Sequence, residues 1–301
     1  MEEGKGTSPH PGGFGNIVLC VDSSEASASA SEFVRCLAKP DARVAVIALM
    51  PGLMEAVRSA STGLADTAMN VRTRVIDLAK EGGDVARAIT REALDEHIDL
   101  LLVVMRQHHG LVRWFDPSVL DRLGRLSPCA MVVVPAEHDV HDAGSKRILF
   151  AIDGSPSSFA ALDTGVVLAT PDTHIRVVYV VDRALRGDES VPKALLEDAL
   201  AKEGERAIAA ALGRLRTLPA AAQSQVSADV ISTDISDDDI SSVLLREAKR
   251  WDADLMVMGT HGRRGDARSY LGSVPNRVAS LARIRLMLVR ERHGGSSTNT
   301  S

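Results

Sequence analysis

The chain has few of the residues that mark several common classes of protein. Its three cysteines in 301 residues form no C-x-x-C pattern, which excludes a disulfide scaffold and a zinc module of that kind. Its nine aromatic residues (Trp 2, Tyr 2, Phe 5) leave little surface for stacking bases, and a net charge of −5 gives no basic excess. Apolar runs such as Leu100–Met105 and Met131–Val134 are strand-sized, far below the roughly 18–20 residues of a membrane helix. Neither nucleic acid nor a membrane is therefore an expected partner.

The amino-terminal stretch also lacks the apolar segment of a secretory signal. Residues 1–15 read MEEGKGTSPHPGGFG, which is polar and rich in proline and glycine. We therefore expect a cytoplasmic protein. The chain is 45% hydrophobic, which is enough for packed cores, and its length allows one large domain or two ordinary ones.

Two segments of the chain begin alike. Asn16–Asp22 reads NIVLCVD and Arg147–Asp153 reads RILFAID, and an alanine-rich stretch of helical period follows each. The two segments align at an offset of 131 residues. Further along, Asp99-Leu100 aligns with Asp254-Leu255 and Ser118-Val119 with Ser273-Val274, now at an offset of 155. The second half thus contains about 24 additional residues, which fall within 182–224 and have a strongly helical composition.

This organisation predicts a tandem repeat of an α/β unit. Strands that alternate with helices are typical of a parallel sheet covered on both faces. We predict two α/β/α sandwich domains, each with a five-stranded, Rossmann-like parallel sheet. The predicted boundaries are a flexible tail at 1–14, a first domain at 15–136, a linker at 137–145, a second domain at 146–292 and a flexible tail at 293–301.

A glycine pattern follows the fourth predicted strand of the second half. It runs Gly259-x2-Gly262-x9-Gly272-Ser273-Val274 and opens a predicted helix. Glycine permits a positive φ and a close approach of the backbone to a ligand. Amides at a helix start have no intrahelical partner and attract phosphate. Three arginines that could meet a polyphosphate lie inside the pattern: Arg263, Arg264 and Arg268.

These residues resemble those of the ATP-binding type of universal stress protein. The resemblance rests on Ala151-Ile152-Asp153-Gly154-Ser155, on Ala253–Met258 and on the glycine pattern, and it spans Arg147–Arg290. It implies the strand order 3-2-1-4-5, with ATP, accompanied by Mg²⁺, across the carboxyl ends of strands 1 and 4. By the same resemblance, Asp153 would lie at the adenosine end and the Val180 backbone would read the adenine. The implied nucleotide-binding residues are Ala151, Ile152, Asp153, Val180, Met258, Gly259, His261, Gly262, Arg263, Gly272, Ser273 and Val274.

The first half resembles the same family more distantly and has lost the glycines. Val104, Gln107 and Pro117 stand where Gly259, Gly262 and Gly272 stand in the second half, although Asp22 and Ser118 are retained. Valine disfavours a positive φ, and proline lacks the N–H that would meet a phosphate. Its net charge of −6, over residues 1–142, also disfavours a polyphosphate. We expect the first half to keep the fold without binding ATP.

Several other groups of polar residues have simpler interpretations than a site. Ser236-Asp237-Asp238-Asp239 is interpreted as a capping box with first-turn acids that complement the helix dipole, rather than as a metal cluster. The ligand-type residues of Glu137–Asp142 fall in the predicted linker, and the polar residues Arg106, His108, His109 and Arg113 in a loop. The three cysteines are expected to be buried thiols. No metal site and no catalytic set of nucleophile and base is identified.

Three functions remain open from the sequence. The first is a regulatory protein of the stress response that holds ATP in its second half. The second is a slow ATPase or a phosphotransfer enzyme, and the third is an interaction module without nucleotide. The glycine pattern favours the first two, and the absence of a recognisable base weighs against fast catalysis. We also expect the two halves to pair within one chain through their last strands, with Cys129–Val134 beside Leu286–Val289. A further homodimer and an unidentified protein partner are compatible with this arrangement.

Overall fold

The computed structural model describes residues 12–21, 24–49, 51–79, 82–105, 117–135, 146–183, 193–234, 238–263 and 271–291. Several sequence predictions fall outside these residues. They are the two tails apart from residues 12–14, the linker 137–145, the polar loop with Arg106 to Arg113, and the positions of Asp22, Gln107, Ser236, Asp237, Arg264 and Arg268.

Strands and helices alternate along both halves of the chain. In the first half the elements are β1 Phe14–Val21, α1 Ser24–Leu37, β2 Ala38–Ala48, α2 Met54–Leu64, β3 Asn70–Val75, α3 Val85–Asp95, β4 Leu100–Met105, α4 Pro117–Leu126 and β5 Ala130–Pro135. In the second half they are β6 Arg147–Ala151, α5 Pro156–Gly165, β7 His174–Val181, α6 Lys193–Thr217, β8 Gln225–Ser232, α7 Ile240–Arg250, β9 Leu255–Gly259, α8 Ser273–Leu281 and β10 Arg285–Val289. The predicted α/β architecture with two repeats is confirmed.

All of these strands join in one sheet. Its order is β3-β2-β1-β4-β5-β10-β9-β6-β7-β8, and every neighbouring pair is parallel except β5 with β10. The buried apolar residues form one core on each face of the sheet. Residues of α1, α2, α5 and α6 pack on one face, and residues of α3, α4, α7 and α8 pack on the other.

The strand register reproduces both sequence offsets. Corresponding central residues have corresponding neighbours: Ile17 pairs with Val44 and Leu100, and Ile148 pairs with Ile175 and Leu255. The offset changes from 131 to 155 residues between the second and third strands, since Val44 pairs with Val71 while Ile175 pairs with Val226. The helix between those strands has 11 residues in α2 and 25 in α6, so the additional residues of the second half include a longer helix.

The halves meet through β5 and β10. Met131 pairs with Leu288, Val132 with Met287 and Val133 with Leu286. Residues 155 apart exchange places across this pair, so a pseudo-twofold axis passes through Val132 and Met287. Next to it Arg285 is buried, with its guanidinium carbon 4.2 Å from the ring centroid of Phe33 in α1. The expected pairing of the halves through their last strands is present.

Two motifs that recur in both halves have structural roles away from the carboxyl ends of the strands. Asp99 accepts hydrogen bonds from the amides of Gly15 and Asn16, both at 3.0 Å, and Asp254 accepts one from the amide of Arg147 at 2.8 Å. These carboxylates tie the fourth strand of each half to the first at their amino ends. The recurring glutamates Glu92 and Glu247 are buried and form ion pairs with Arg74 and Arg176, respectively.

Candidate functional site

The twelve residues implied to bind nucleotide are all described, and the fold brings them to the carboxyl edge of β6, β7 and β9. Ala151 lies in register with Val178 on one side and with Met258 on the other. The chain turns away from the sheet after Ala151 and after Gly259. Two loops therefore leave the sheet side by side, at the point where the strand order of the second half reverses.

Asp153 joins these two loops. Its Oδ1 accepts a hydrogen bond from the amide of Ser155 at 2.9 Å, and its Oδ2 accepts one from the amide of Arg263 at 3.1 Å. The turn between Asp153 and Ser155 passes through Gly154, whose φ of +80° is one that side-chain-bearing residues rarely adopt. Asp153 thus serves as a turn residue and, at the same time, fixes the loop after β9.

Ser155 makes a second connection between the loops. Its side chain caps α5 by accepting a hydrogen bond from the amide of Ser158 at 3.1 Å, and its hydroxyl lies 3.4 Å from the carbonyl of His261. Ser155 was not assigned a role in the site from sequence alone. The S-P dipeptide at residues 155–156, a cap followed by proline in the first helical turn, is a signal that could have identified it.

Two of the three motif glycines are needed because other groups lie too close for a side chain. A Cβ at Gly259 would lie 2.6 Å from Oγ of Ser157 and 2.8 Å from its carbonyl carbon. A Cβ at Gly262 would lie 2.7 Å from Oδ2 of Asp153. The sequence argument from positive φ was wrong for these residues, because none of Gly259, Gly262 and Gly272 has a positive φ. Close packing, and not an unusual backbone conformation, disfavours a side chain at both positions: Gly259 packs on Ser157 at the start of α5, and Gly262 packs on the side chain of Asp153 in the neighbouring loop.

Gly272 is different, because the protein itself has room for a side chain there. Its φ of −57° and ψ of 154° suit any residue, and a Cβ would have ordinary contacts at 3.4 Å with Cδ of Pro275 and the carbonyl oxygen of Thr260. Its amide donates to that carbonyl at 2.9 Å, so it does not point to a ligand, contrary to the sequence argument. Nothing among the described residues therefore requires glycine at this position.

The start of α8 next to Gly272 has unused hydrogen-bond donors. Within the described part of the chain, the amides of Ser273 and Val274 have no hydrogen-bond partner, and Pro275 has no N–H. Asn276 is the first residue of the helix whose amide is bonded, to the carbonyl of Gly272 at 3.0 Å. The amides of Ser273 and Val274 thus lie at the positive end of the nine-residue helix α8, directly after Gly272, which has no side chain.

The backbone of Val180 is the corresponding feature at the other end of the site. The carbonyl of Val178 accepts the last hydrogen bond from the β6 segment, from the amide of Ile152 at 2.9 Å. Because strand residues alternate, Val180 turns its N–H and C=O to the same side, where β6 has already ended. Neither group has a hydrogen-bond partner among the described residues. Val180 therefore presents one donor and one acceptor to the carboxyl edge of the sheet.

Arg263 directs its side chain to α6. Its guanidinium forms an ion pair with Glu203, and this hydrogen bond is the main reason why the pKa of Arg263 is raised. Tyr179 lies against the same pair, and burial is the main cause of its raised pKa, with the charge of Glu203 adding to it. The arginine expected at the phosphates is thus held by the additional residues of the second half.

Arg277, a further arginine after the glycine pattern, has a structural partner. Its Nε lies 3.1 Å from Oδ2 of Asp239, which caps α7. The first half contains the equivalent ion pair between Arg122 and Asp84, which caps α3. Because this ion pair also occurs in the first half, which lacks the glycine pattern, we interpret it as a contact that packs two helices together.

In the first half, the described positions do not form a comparable site. Val104 is buried within β4, which continues to Met105, and Pro117 is the first residue of α4.

The sequence interpretations of the acidic segment and of the cysteines are tested in part by the structure. Asp239 itself caps α7 through the amide of Ser242 at 2.8 Å, so the predicted placement of acids in the first helical turn was wrong: Asp238 and Asp239 precede the helix, and its first turn contains no acidic residue. Cys20 and Cys129 are buried, and Cys36 is half-buried. No cluster of three metal-ligating side chains occurs in the described ranges, and no helix in them is long and apolar enough to cross a bilayer.

Comparison with known proteins identifies the family. The model of the universal stress protein family matches residues 13–135 and again residues 144–290. The chain belongs to the universal stress protein family. It is a tandem member, since two copies of the family domain follow one another.

Solved structures show the same fold over nearly the whole chain. A universal stress protein from Archaeoglobus fulgidus is 13% identical, covers 92% of this chain and 97% of its own, and has a TM-score of 0.57. A universal stress protein from Pseudomonas aeruginosa is 15% identical, with coverages of 93% and 94% and a TM-score of 0.53. A family member from Burkholderia pseudomallei is 28% identical over 48% of this chain and 96% of its own, with a TM-score of 0.39. No curated protein matches the chain significantly.

Proposed function

We propose that this universal stress protein binds one ATP, with Mg²⁺, in its second half and acts as a nucleotide-dependent regulator in a stress response. The observation that carries the proposal is the start of α8. Two unpartnered amides, of Ser273 and Val274, lie beside Gly272, where the protein itself leaves room for a side chain. A bound phosphate accounts for both features, because it accepts from the amides and needs the space that a side chain would occupy.

The remaining residues supply the two ends of a nucleotide-shaped site. The N–H and C=O of Val180 match the acceptor and donor on the edge of an adenine ring. Asp153 lies beside the loop that leads from β9, Gly262 lets that loop approach Asp153 closely, and Gly259 lets the end of β9 pack on the start of α5. Asp153 follows β6 and the two amides begin α8, so the two ends of the site are set apart by separate elements of the same sheet edge.

The interaction with Glu203 supports a regulatory role for Arg263. In the described structure Arg263 is paired with a carboxylate on α6, so a phosphate would have to compete for it. A triphosphate competes better than a monophosphate, since it carries more negative charge. The state of this arginine would then report which nucleotide is bound.

Calorimetric titration of the full-length protein tests the proposal. We expect a stoichiometry near one ATP per chain, since the first half has Val104 and Pro117 where the second has Gly259 and Gly272. The nucleotide content of the protein as purified is measured first, so that bound ATP does not mask the sites. A stoichiometry near two would show that the first half also binds. The absence of binding by a nucleotide-free sample would leave an interaction module as the function.

A further inference from the structure

Leu271, two residues before the first residue of α8, is held by the other half of the molecule. Oδ1 of Asp121, in α4, accepts a hydrogen bond from the amide of Leu271 at 2.8 Å, across 150 residues of sequence. The side chain of Leu271 is buried against the same helix at Gly124. A Cβ at Gly124 would lie only 2.3 Å from a methyl carbon of Leu271, so the leucine occupies the space that a side chain would take.

Leu271 lies next to the proposed phosphate site. The amides of residues 271–274 differ in their partners. The amide of Leu271 donates to Asp121 and the amide of Gly272 donates to the carbonyl of Thr260, while the next two amides have no partner in the described residues. The backbone that leads to the unpartnered amides is therefore held by one hydrogen bond within the second half and by one from the first half.

The environment of Asp121 indicates that this contact constrains a charged group. Burial raises the pKa of Asp121, while the hydrogen bond from Leu271 and the nearby His261 favour its ionised form. Removing a carboxylate from water costs free energy, which the bond to Leu271 offsets only in part. A second contact adds to the connection, since the guanidinium of Arg290 donates to the carbonyl of Arg125 at the end of α4.

We propose that the first half acts as a built-in partner subunit for the nucleotide site, with Asp121 and Gly124 as positioning residues for the start of α8. The inference rests on the proposed function. Asp121 acts through the Leu271 amide and does not contact the nucleotide. By linkage, nucleotide binding in the second half then stabilises α4 in the first half.

Three substitutions in α4 separate positioning from general stability. Asp121→Ala removes the acceptor and should weaken ATP binding about tenfold, because the backbone just before the start of α8 loses one of its two hydrogen bonds. Asp121→Asn keeps an oxygen acceptor and should bind ATP nearly as the wild type does. Arg122→Ala, on the same helix as Asp121, is the matched control. It breaks the ion pair with Asp84, the cap of α3, and should lower stability without changing ATP affinity.

Hydrogen exchange of the wild-type protein gives a readout that needs no variant. Saturating ATP should slow exchange of the amides of 118–126 and of Leu271, and Asp121→Ala should abolish the effect in α4. If ATP binds to the wild type but leaves exchange in α4 unchanged, and Asp121→Ala binds it equally well, the positioning role is refuted and the proposed function stands. If the wild type binds no ATP, the proposed function fails and this inference fails with it.

Discussion

Replacing Gly262 by alanine disturbs the contact that holds the two loops of the site together. The new Cβ would lie 2.7 Å from Oδ2 of Asp153, which is closer than such atoms pack, so one of them has to move. The aspartate side chain is the more flexible partner. Its movement breaks the hydrogen bond from the amide of Arg263, now 3.1 Å long.

The cost follows from the kind of bond that is lost. A hydrogen bond to a charged acceptor contributes about 1.5–3 kcal/mol, and the half-exposed position of Asp153 favours the lower end. We therefore expect Gly262→Ala to lower the free energy of unfolding by about 1–2 kcal/mol. ATP affinity should fall by a similar free energy, about 5-fold to 30-fold, since about 1.4 kcal/mol in binding corresponds to a factor of ten.

Chemical denaturation and calorimetric titration with ATP measure the two effects, and Gly213→Ala is the matched control. Gly213 lies in the interior of α6, and a Cβ there would meet nothing within 4 Å. The control should therefore stabilise the protein by about 0.5–1 kcal/mol and leave ATP affinity unchanged. If Gly262→Ala binds ATP as tightly as the wild type, Asp153 and its loop contact are not part of the site.

Three further predictions concern single groups. Glu203→Gln releases Arg263 from a half-exposed ion pair worth about 0.2–1 kcal/mol, so ATP should bind up to about fivefold tighter with AMP unaffected; equal titrations of variant and wild type would contradict this. Asp84→Ala removes a helix cap and an ion pair and should cost about 1–2 kcal/mol in denaturant unfolding. Burial raises the pKa of Asp84, but the hydrogen bonds from the Arg87 amide and from Arg122 outweigh it, so the net pKa lies below 3.8. The contribution of Asp84 to stability is therefore present above that pH and is lost as the pH falls further. A stability difference between wild type and Asp84→Ala that does not change on acidification would argue against this. Burial raises the pKa of Cys20, so this thiol should react with a thiol reagent only on unfolding, and rapid labelling of native protein would contradict that.

The repeat and its strands could be predicted from the sequence because they depend on local patterns. Short β-branched runs such as Asn16–Asp22 and Arg147–Asp153 define strands, and an ungapped offset identifies the equivalent strands of the two halves, whereas the order of the strands was implied only by the resemblance to the family. The change of offset also located the additional helix. Its consequence, the ion pair of Glu203 with Arg263, could not be predicted, since it joins residues 60 apart through tertiary packing.

The roles of the glycines show where sequence reasoning fails. A glycine in a loop predicts either a positive φ or a close approach, and the sequence cannot distinguish them. Here Gly154 has the positive φ, while Gly259 and Gly262 are required by close approach. The contact of Leu271 with Asp121 was also beyond prediction, because it depends on how the two halves meet across the pseudo-twofold axis.

The most direct test of the account is the ATP affinity of Gly272→Ala, measured by calorimetry beside its unfolding free energy. Within the protein, a Cβ at this position would have only ordinary contacts and an allowed φ, so stability should stay within about 0.5 kcal/mol of the wild type. ATP affinity should nevertheless fall at least about tenfold, because the methyl group occupies the space in front of the amides of Ser273 and Val274. A variant of unchanged stability that binds ATP as tightly as the wild type would contradict the claim that the phosphates lie at the start of α8.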